Sequence, residues 1–349
     1  MSLPSGMRSM TYAQDMAILR TKTHWTLFIG FLIVLFTLPL YLGSYWLGVA
    51  NLIGITLIAA TGLNILIGYC GQLSIGHAGF IAVGAYTSAV LTNRFGLPFL
   101  VGLICAGFMS GIIGLIFGIP SVRVKGFYLA ITTIAAQFII IWVINHWDIT
   151  GGFVGIRVPY ASIGGYVLRS ASSQFYLIMG IAALSIFFAK NIARTRLGRA
   201  LIAVRDNDLA AEVMGINLFY YKMLAFFIGC FMAGIAGSLM AHWIGFMTTE
   251  HFTLAESILY IAMIIIGGLG TTLGPILGVV FIRLLQQVLT VQVVPFLEGT
   301  KLLPAGFASG VTPMLFGLVI ILFLILEPRG LAHRWNLFKA AYRLWPFSY

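Results

Sequence analysis

RTRLGRALIAVRDNDLAAEVMGINLFYYKMLAFFIGCFMAGIAGSLMA, residues 194–241, joins the most charged stretch of an otherwise apolar chain directly to a long hydrophobic run. The hydrophobic half reaches the roughly 20 residues that a bilayer crossing takes. It carries Ala225, Gly229, Ala233, Gly237 and Ala241 at fourfold spacing. Small residues on one helix face let two backbones approach closely, and in lipid such packing stands in for the missing hydrophobic effect between helices. The stripe is a packing seam, either within the chain or against a second membrane chain. Gly107, Gly111, Gly114 and Gly118 form a shorter version upstream. In the charged half, Leu201, Val204, Leu209 and Val213 set apolar teeth on two short helices. Asp206 or Asn207 can cap the second helix and Gly215 can end it. Charge keeps this loop in water while its teeth seek a groove on a partner, a pattern that a merely solvated basic loop does not need.

Composition fixes the class around this stretch. With 60% hydrophobic and 8% charged residues over 349 positions, the chain lacks the polar surface of a soluble globule. It reads as an all-α, polytopic helical membrane protein. The net charge of +11 sits in short loops between apolar runs, where the positive-inside rule accounts for it and nucleic acid is not a partner. Cys70, Cys105 and Cys230 lie in or beside apolar runs without metal spacing and read as small packing residues. The run at 26–46 is longer than a signal-peptide core and reads as a retained first span.

Apolar runs predict about ten spans: 26–46, 47–69, 75–92, 98–119, 126–145, 174–190, 221–246, 255–266, 273–293 and 312–326. With the amino terminus inside, the cytoplasmic face collects Arg8, Arg20, Lys22, Arg123, Lys125, Lys190, Arg194, Arg196, Arg199, Arg205, Lys222, Arg329, Arg334, Lys339 and Arg343. Outside fall Arg94, Arg157, Arg169 and Lys301, so both termini are expected in the cytoplasm. The organisation expected is a cytoplasmic segment at 1–25, one membrane domain at 26–327 with a loop at about 191–220, and a basic cytoplasmic tail at 328–349. The outer segment 146–173 holds Gly151, Gly152, Gly155, Pro159, Gly164 and Gly165, which mark turns rather than an independent fold.

GYCGQLSIGHAGFIAVGAYTSAVL, residues 68–91, is too rich in glycine for a continuous helix in lipid, where each unpaired backbone group costs several kcal/mol. Such a break is tolerated beside a cavity or inside protein. Read as a whole, the segment is a bent helix entrance beside a solute path, the alternative for its single residues being close packing around a hydrogen-bonded His77. GGLGTTLGPILG, residues 267–278, matches neither dinucleotide nor phosphate-loop glycine patterns and reads as a tight inner turn with Pro275 at a helix start. With no such phosphate loop anywhere, the chain is not expected to hydrolyse ATP.

The three stretches together, GQLSIGHAGFIAVGAYTSAVL, then GRALIAVRDNDLAAEVMGINLFYYKMLAFFIGCFMAGIAGSL, then GGLGTTLGPILG, resemble the LivM type of branched-chain amino acid ABC transporter permease, with the LivH type as sister. The resemblance runs from about residue 47 to 290. It implies a heteromeric importer in a bacterial or archaeal plasma membrane, the inner membrane of a Gram-negative cell. Its expected partners are a LivH-type permease chain, two ATPase subunits that use ATP and Mg, and a periplasmic or lipid-anchored solute-binding protein. No cofactor or metal is expected on this chain. Position by position, Gly198, Arg199, Arg205, Asp206, Ala211 and Gly215 match the ATPase-coupling loop, which Leu201, Leu209 and Val213 complete. Gln72, Ser74, Gly76, His77, Gly84 and Tyr86 match the glycine-rich segment, and residues 150–155 resemble the family's T-G-G-x-x-G turn. Related permeases also carry urea, short amides and aromatic carboxylates.

Charge within the spans is sparse. Arg283, deep in the ninth run, is expensive there and therefore a functional candidate, either for a passing carboxylate or paired structurally within the bundle. Glu256 and Gln137 are further path candidates, joining Gln72, Ser74, Gly76, His77, Tyr86 and Arg283. A secondary transporter or channel would be expected to carry more intramembrane carboxylates than Glu256 and the terminal Glu327. A membrane enzyme would need a converging catalytic set that the scattered His24, His77, His146, His242, His251 and His333 do not make.

Overall fold

The computed structural model describes residues 22–122, 126–293, 308–327 and 329–344. Arg8, Arg20, Arg123, Lys125 and Lys301, and with them most of the expected amino-terminal segment, lie outside those residues. The helices are α1 (Lys22–Tyr41), α2 (Ser44–Leu63), α3 (His77–Asn93), α4 (Phe99–Gly118), α5 (Phe127–His146), α6 (Ala171–Arg194), α7 (Arg196–Asp206), α8 (Asp208–Val213), α9 (Leu218–Ile244), α10 (Leu254–Gly267), α11 (Gly274–Val288), α12 (Ala308–Leu326) and α13 (Leu331–Leu344). Every predicted apolar run holds a helix. Six are long and apolar enough to cross a membrane, or seven if Met314–Leu326 and Leu331–Tyr342, bent by 45°, count as one span. The protein is thus a multi-pass helical membrane protein, but with fewer full-length spans among the described residues than the ten expected.

Two glycine-rich breaks account for two of the shortfalls, α3 and α10. α2 runs on as a π-helical turn, Asn64–Tyr69, and the chain then leaves helical geometry until His77, with Gly71 at φ +71°. That leaves α3 only 17 residues. Gly268, at φ +113°, ends α10 after 14 residues. These are conformations that a β-carbon disfavours and glycine permits. α13 occupies most of the expected tail, and its Ala332 is buried against Gly268.

α9 is the central post, packed against α2, α3 and α4. Its small stripe, Ala225 to Ala241, is buried within the chain, which settles the seam as internal. A β-carbon on Gly62 of α2 would lie 2.7 Å from the Gly229 carbonyl oxygen, and one on Gly84 of α3 would overlap the Gly234 backbone. Helix backbones this close leave no room for a larger side chain, and overpacking costs about 1–3 kcal/mol or more. The α4 glycines receive α9 aromatic rings, Gly107 under Phe231 and Gly111 under Phe227.

The segment 146–173, expected on the outer side, departs slightly from the all-α expectation. Its turns include β1 (Ile156–Arg157), β2 (Ser162–Ile163) and β3 (Tyr166–Val167), and β4 (Phe246–Met247) follows α9. β2 pairs antiparallel with β3, whereas β1 pairs with β4, Ile156 opposite Met247. The loop after α5 is therefore stitched to the loop after α9.

Candidate functional site: a coupling loop and a charged cavity at opposite ends of the bundle

α7 and α8 form the charged loop. Asn207 takes extended backbone angles between them, and its Oδ1 accepts the Ala210 N–H at 3.0 Å, so Asn207 rather than Asp206 is the cap. Gly215, at φ +83°, ends the element, its N–H bonded to Glu212 O and that of Ile216 to Ala211 O. Burial divides the four apolar teeth into two pairs. Leu201 is 0% and Val204 4% exposed, and with Gly198, Ala200 and Ala211 they seat the loop on the bundle. Leu201 and Val204 are therefore not docking teeth: the amphipathic face of α7 is spent on its own protein. Leu209 (68%) and Val213 (88%) stand in the open, joined by Met214, which the sequence pattern had not marked. Arg199 is exposed and bonds Arg194 O at 3.2 Å, while Asp208 pairs at 3.7 Å with the buried Lys222.

Arg205 links this loop to the broken helix. Its Nε and Nη2 hold Asp206 Oδ1 at 2.9 and 2.8 Å, and its Nη1 donates to Gly68 O at 2.7 Å. Gly68 lies in the π turn, whose Asn64 side chain accepts from Gly270 N at 3.0 Å and donates to Thr271 O at 2.9 Å. The charged loop, the break after α2 and the turn between α10 and α11 thus meet at one point. A cavity of about 320 Å³ opens beside it, lined by Gly71, Gln72, Arg205, Asp206 and Lys222 among others. Sequence reading named these three stretches separately and gave Asn64, Thr271 and Lys222 no role in joining them.

A second cavity, about 280 Å³, lies at the other end of the same helices. Lys222 and Met240 of α9 line the first and second cavities, and eighteen residues of helix put them about 27 Å apart. Arg283 of α11, 8% exposed, reaches into this second space. Its Nε donates to Thr56 Oγ1 at 3.1 Å, its Nη1 to Gln286 Oε1 at 2.9 Å, and its Nη2 lies 3.4 Å from Glu256 Oε2. An unpaired charge here would be strongly destabilising, so Glu256 and the two polar side chains explain how Arg283 is tolerated. Leu52, Ile55, Ile81, Met240 and Phe252 make the apolar wall.

Of the path candidates, Glu256 and Arg283 come together at this cavity and Gln72 lines the other. Ser74, His77 and Gln137 are buried between helices. Gln137 Nε2 donates to Phe252 O at 3.0 Å and its Oε1 accepts from Ser257 Oγ at 2.8 Å, so it braces the cavity wall from behind. His77 Nε2 donates to Ala59 O at 3.1 Å. Tyr86 reaches Met247 O at 3.4 Å, and Gly76 faces the Thr133 carbonyl so closely that a β-carbon would overlap it. Gln72 Oε1, Ser74 Oγ and His77 Nδ1 have no partner among the described residues. No group of acidic, His or Cys side chains suited to a metal occurs among the described residues either.

The family model described as branched-chain amino acid transport system / permease component matches residues 45–326. The chain is 29% identical over 328 residues to the high-affinity branched-chain amino acid transport system permease protein LivM of Escherichia coli K12, covering 87% of this chain and 73% of that protein. It is 30% identical over 308 residues to the protein of the same name from Salmonella typhimurium, covering 81% and 69%. A probable branched-chain amino acid transport permease protein LivM of Methanocaldococcus jannaschii is 25% identical over 321 residues, covering 80% and 90%. No solved structure matches. The match spans the charged loop, both glycine-rich breaks and every residue of the Arg283 cavity, and the chain belongs to the branched-chain amino acid permease family, as a LivM-type transport subunit and not an enzyme.

Proposed function

We propose that this chain carries branched-chain amino acids across a bacterial or archaeal plasma membrane as one half of a permease pair. A LivH-type chain is its partner, two ATPase subunits dock on the coupling loop, and a solute-binding protein delivers cargo to the opposite face. Both termini and the coupling loop at about 191–220 lie in the cytoplasm, and the ten apolar helices, including the shortened α3 and α10, make up the membrane domain at 26–327. ATP and Mg are used by the partners. The observation that carries the reading is the bond from Arg205 to Gly68: motion imposed on α7 and α8 pulls directly on the break after α2. α2 and α11, which leave that junction, also wall the Glu256–Arg283 cavity, so Glu256 and Arg283 lie on the outer part of the path and Gln72 on its inner part.

The test is reconstitution of the complete transporter in liposomes with labelled leucine, urea and benzoate. ATP-dependent leucine uptake is expected, with urea and benzoate left outside. Uptake of urea alone overturns the amino-acid reading, and solute flux through this chain without any ATPase overturns the importer reading.

A further inference from the structure

Arg283 and Glu256 are opposite charges facing one cavity, and their contact is loose. At 3.4 Å it is longer than the roughly 2.7–2.9 Å of a closed charge-assisted hydrogen bond. The guanidinium is anchored independently by Thr56 and Gln286, so its position does not depend on Glu256. Glu256, by contrast, is 35% exposed and sits in the first turn of α10 with space in front of it.

We propose that this ion pair opens to admit a zwitterion, and that Glu256 and Arg283 together make the cavity select α-amino acids over otherwise identical acids and amines. The solute carboxylate replaces Glu256 at Arg283 Nη2, a guanidinium fork being suited to a carboxylate. The released Glu256 carboxylate accepts the solute ammonium. Two charges enter, two are met, and the net charge of the cavity does not change. A 2-oxo acid of the same shape satisfies Arg283 but leaves Glu256 as a carboxylate with no cation beside a new anion. An amine of the same shape satisfies Glu256 and strands Arg283. Each leaves one member of the ion pair without a counter-ion, the buried Arg283 in one case and the partly exposed Glu256 in the other, and an unpaired charge is costly in a partly buried site. Leu52, Ile55, Ile81, Met240 and Phe252 receive an aliphatic side chain, and a volume of about 280 Å³ falls just below the range of about 300–1,000 Å³ usual for drug-sized ligands, as suits a smaller solute. The inference rests on the chain being an amino-acid permease and adds which side chains recognise the two ionic ends.

The experiment measures binding of leucine, 4-methyl-2-oxopentanoate and 3-methylbutylamine to the permease–ATPase complex in nanodiscs, without the solute-binding protein, whose own selectivity would mask the cavity. Uptake by the full transporter in liposomes runs in parallel. Leucine is expected to bind roughly tenfold or more tighter than either analogue, the size of one lost charged hydrogen bond. Glu256→Gln should narrow the leucine-to-oxo-acid ratio by about the same factor, and Glu256→Asp, which keeps the charge, should restore it. Arg283→Gln should narrow the leucine-to-amine ratio instead. Recovery of each variant with its ATPases shows that it has folded. Equal binding of leucine and the oxo acid by the parent complex overturns the inference, as does a Glu256→Gln ratio unchanged in an assembled complex. Failure of the full transporter to import leucine, whatever the cavity binds, overturns the amino-acid reading instead.

Discussion

Arg205 Nη1 donates to the carbonyl of Gly68 at 2.7 Å, across 137 residues of sequence. A π turn leaves carbonyl groups without the ordinary helical partner, and here one of them is taken by a cation from the coupling loop. Hydrogen bonds to charged groups are worth about 1.5–3 kcal/mol. Removing this one with Arg205→Ala should leave the subunit inserted and assembled while lowering the amount of solute moved per ATP hydrolysed several-fold. The number to compare is that ratio in proteoliposomes, and an unchanged ratio would show that force passes elsewhere.

The two faces of the coupling element separate cleanly by substitution. Leu209→Asp with Val213→Asp changes only exposed positions, so the protein should fold and insert normally. If those side chains fill a groove on the ATPase, losing them costs about 2 kcal/mol or more, roughly a 30-fold weaker complex. Leu201→Asp places a carboxylate where nothing is exposed and should instead lower the yield of folded protein. Normal folding of Leu201→Asp, seen as an unshifted elution profile, would contradict the burial assigned to it.

Asn64 holds the π turn to the loop between α10 and α11 through two hydrogen bonds. Asn64→Leu keeps the volume and removes both, stranding the Gly270 N–H, for a cost of about 2 kcal/mol or more. Thermal unfolding of the purified chain in detergent should start several degrees lower. Asn64→Asp keeps the acceptor for Gly270 N and should recover part of the loss. Equal midpoints for all three proteins would leave the junction without energetic weight.

Gly84→Val tests the α3–α9 contact, where a β-carbon meets backbone rather than a movable side chain. The expected result is loss of folded protein, and substitution to Ala should fall between. Gly96→Ala, in open space though at φ +64°, should cost about 1 kcal/mol from its backbone alone. Similar yields of the Gly84 and Gly96 variants would rule out the close approach.

Periodicity found the helices because each needs a run of apolar residues whichever neighbour it packs on, and the small stripe of α9 was visible for the same reason. Span number was harder to read, since a run such as 75–92 carries no mark of where lipid ends and a glycine break begins. The outward teeth Leu209 and Val213 were legible as apolar positions on a charged loop. Their buried counterparts Leu201 and Val204 have the same chemistry and differ only in what lies beneath them. Arg283 stood out because charge is expensive in a span, and Glu256 was already a candidate. Their meeting depends on α10 and α11 folding back on each other around Gly267; the glycine-rich turn was legible, but which side chains it sets face to face was not. Asn64 gave no signal at all, being an ordinary polar residue whose partners Gly270 and Thr271 lie more than 200 positions away.

The pairing of Ile156 with Met247 bears on how such permeases can be recombined. The segment after α5 is one continuous stretch of sequence, convenient to exchange between relatives. Its backbone is nevertheless hydrogen-bonded to the strand that leads into Glu250–Thr253, the rim of the Glu256–Arg283 cavity. Gly155 presses on the Met247 carbonyl from one side and Tyr86 reaches it from the other. A graft of residues 147–170 alone would set a foreign strand edge against this rim. The heritable module is the discontinuous pair, 147–170 with 246–253, and a chimaera that moves both together carries the mouth of the cavity with it.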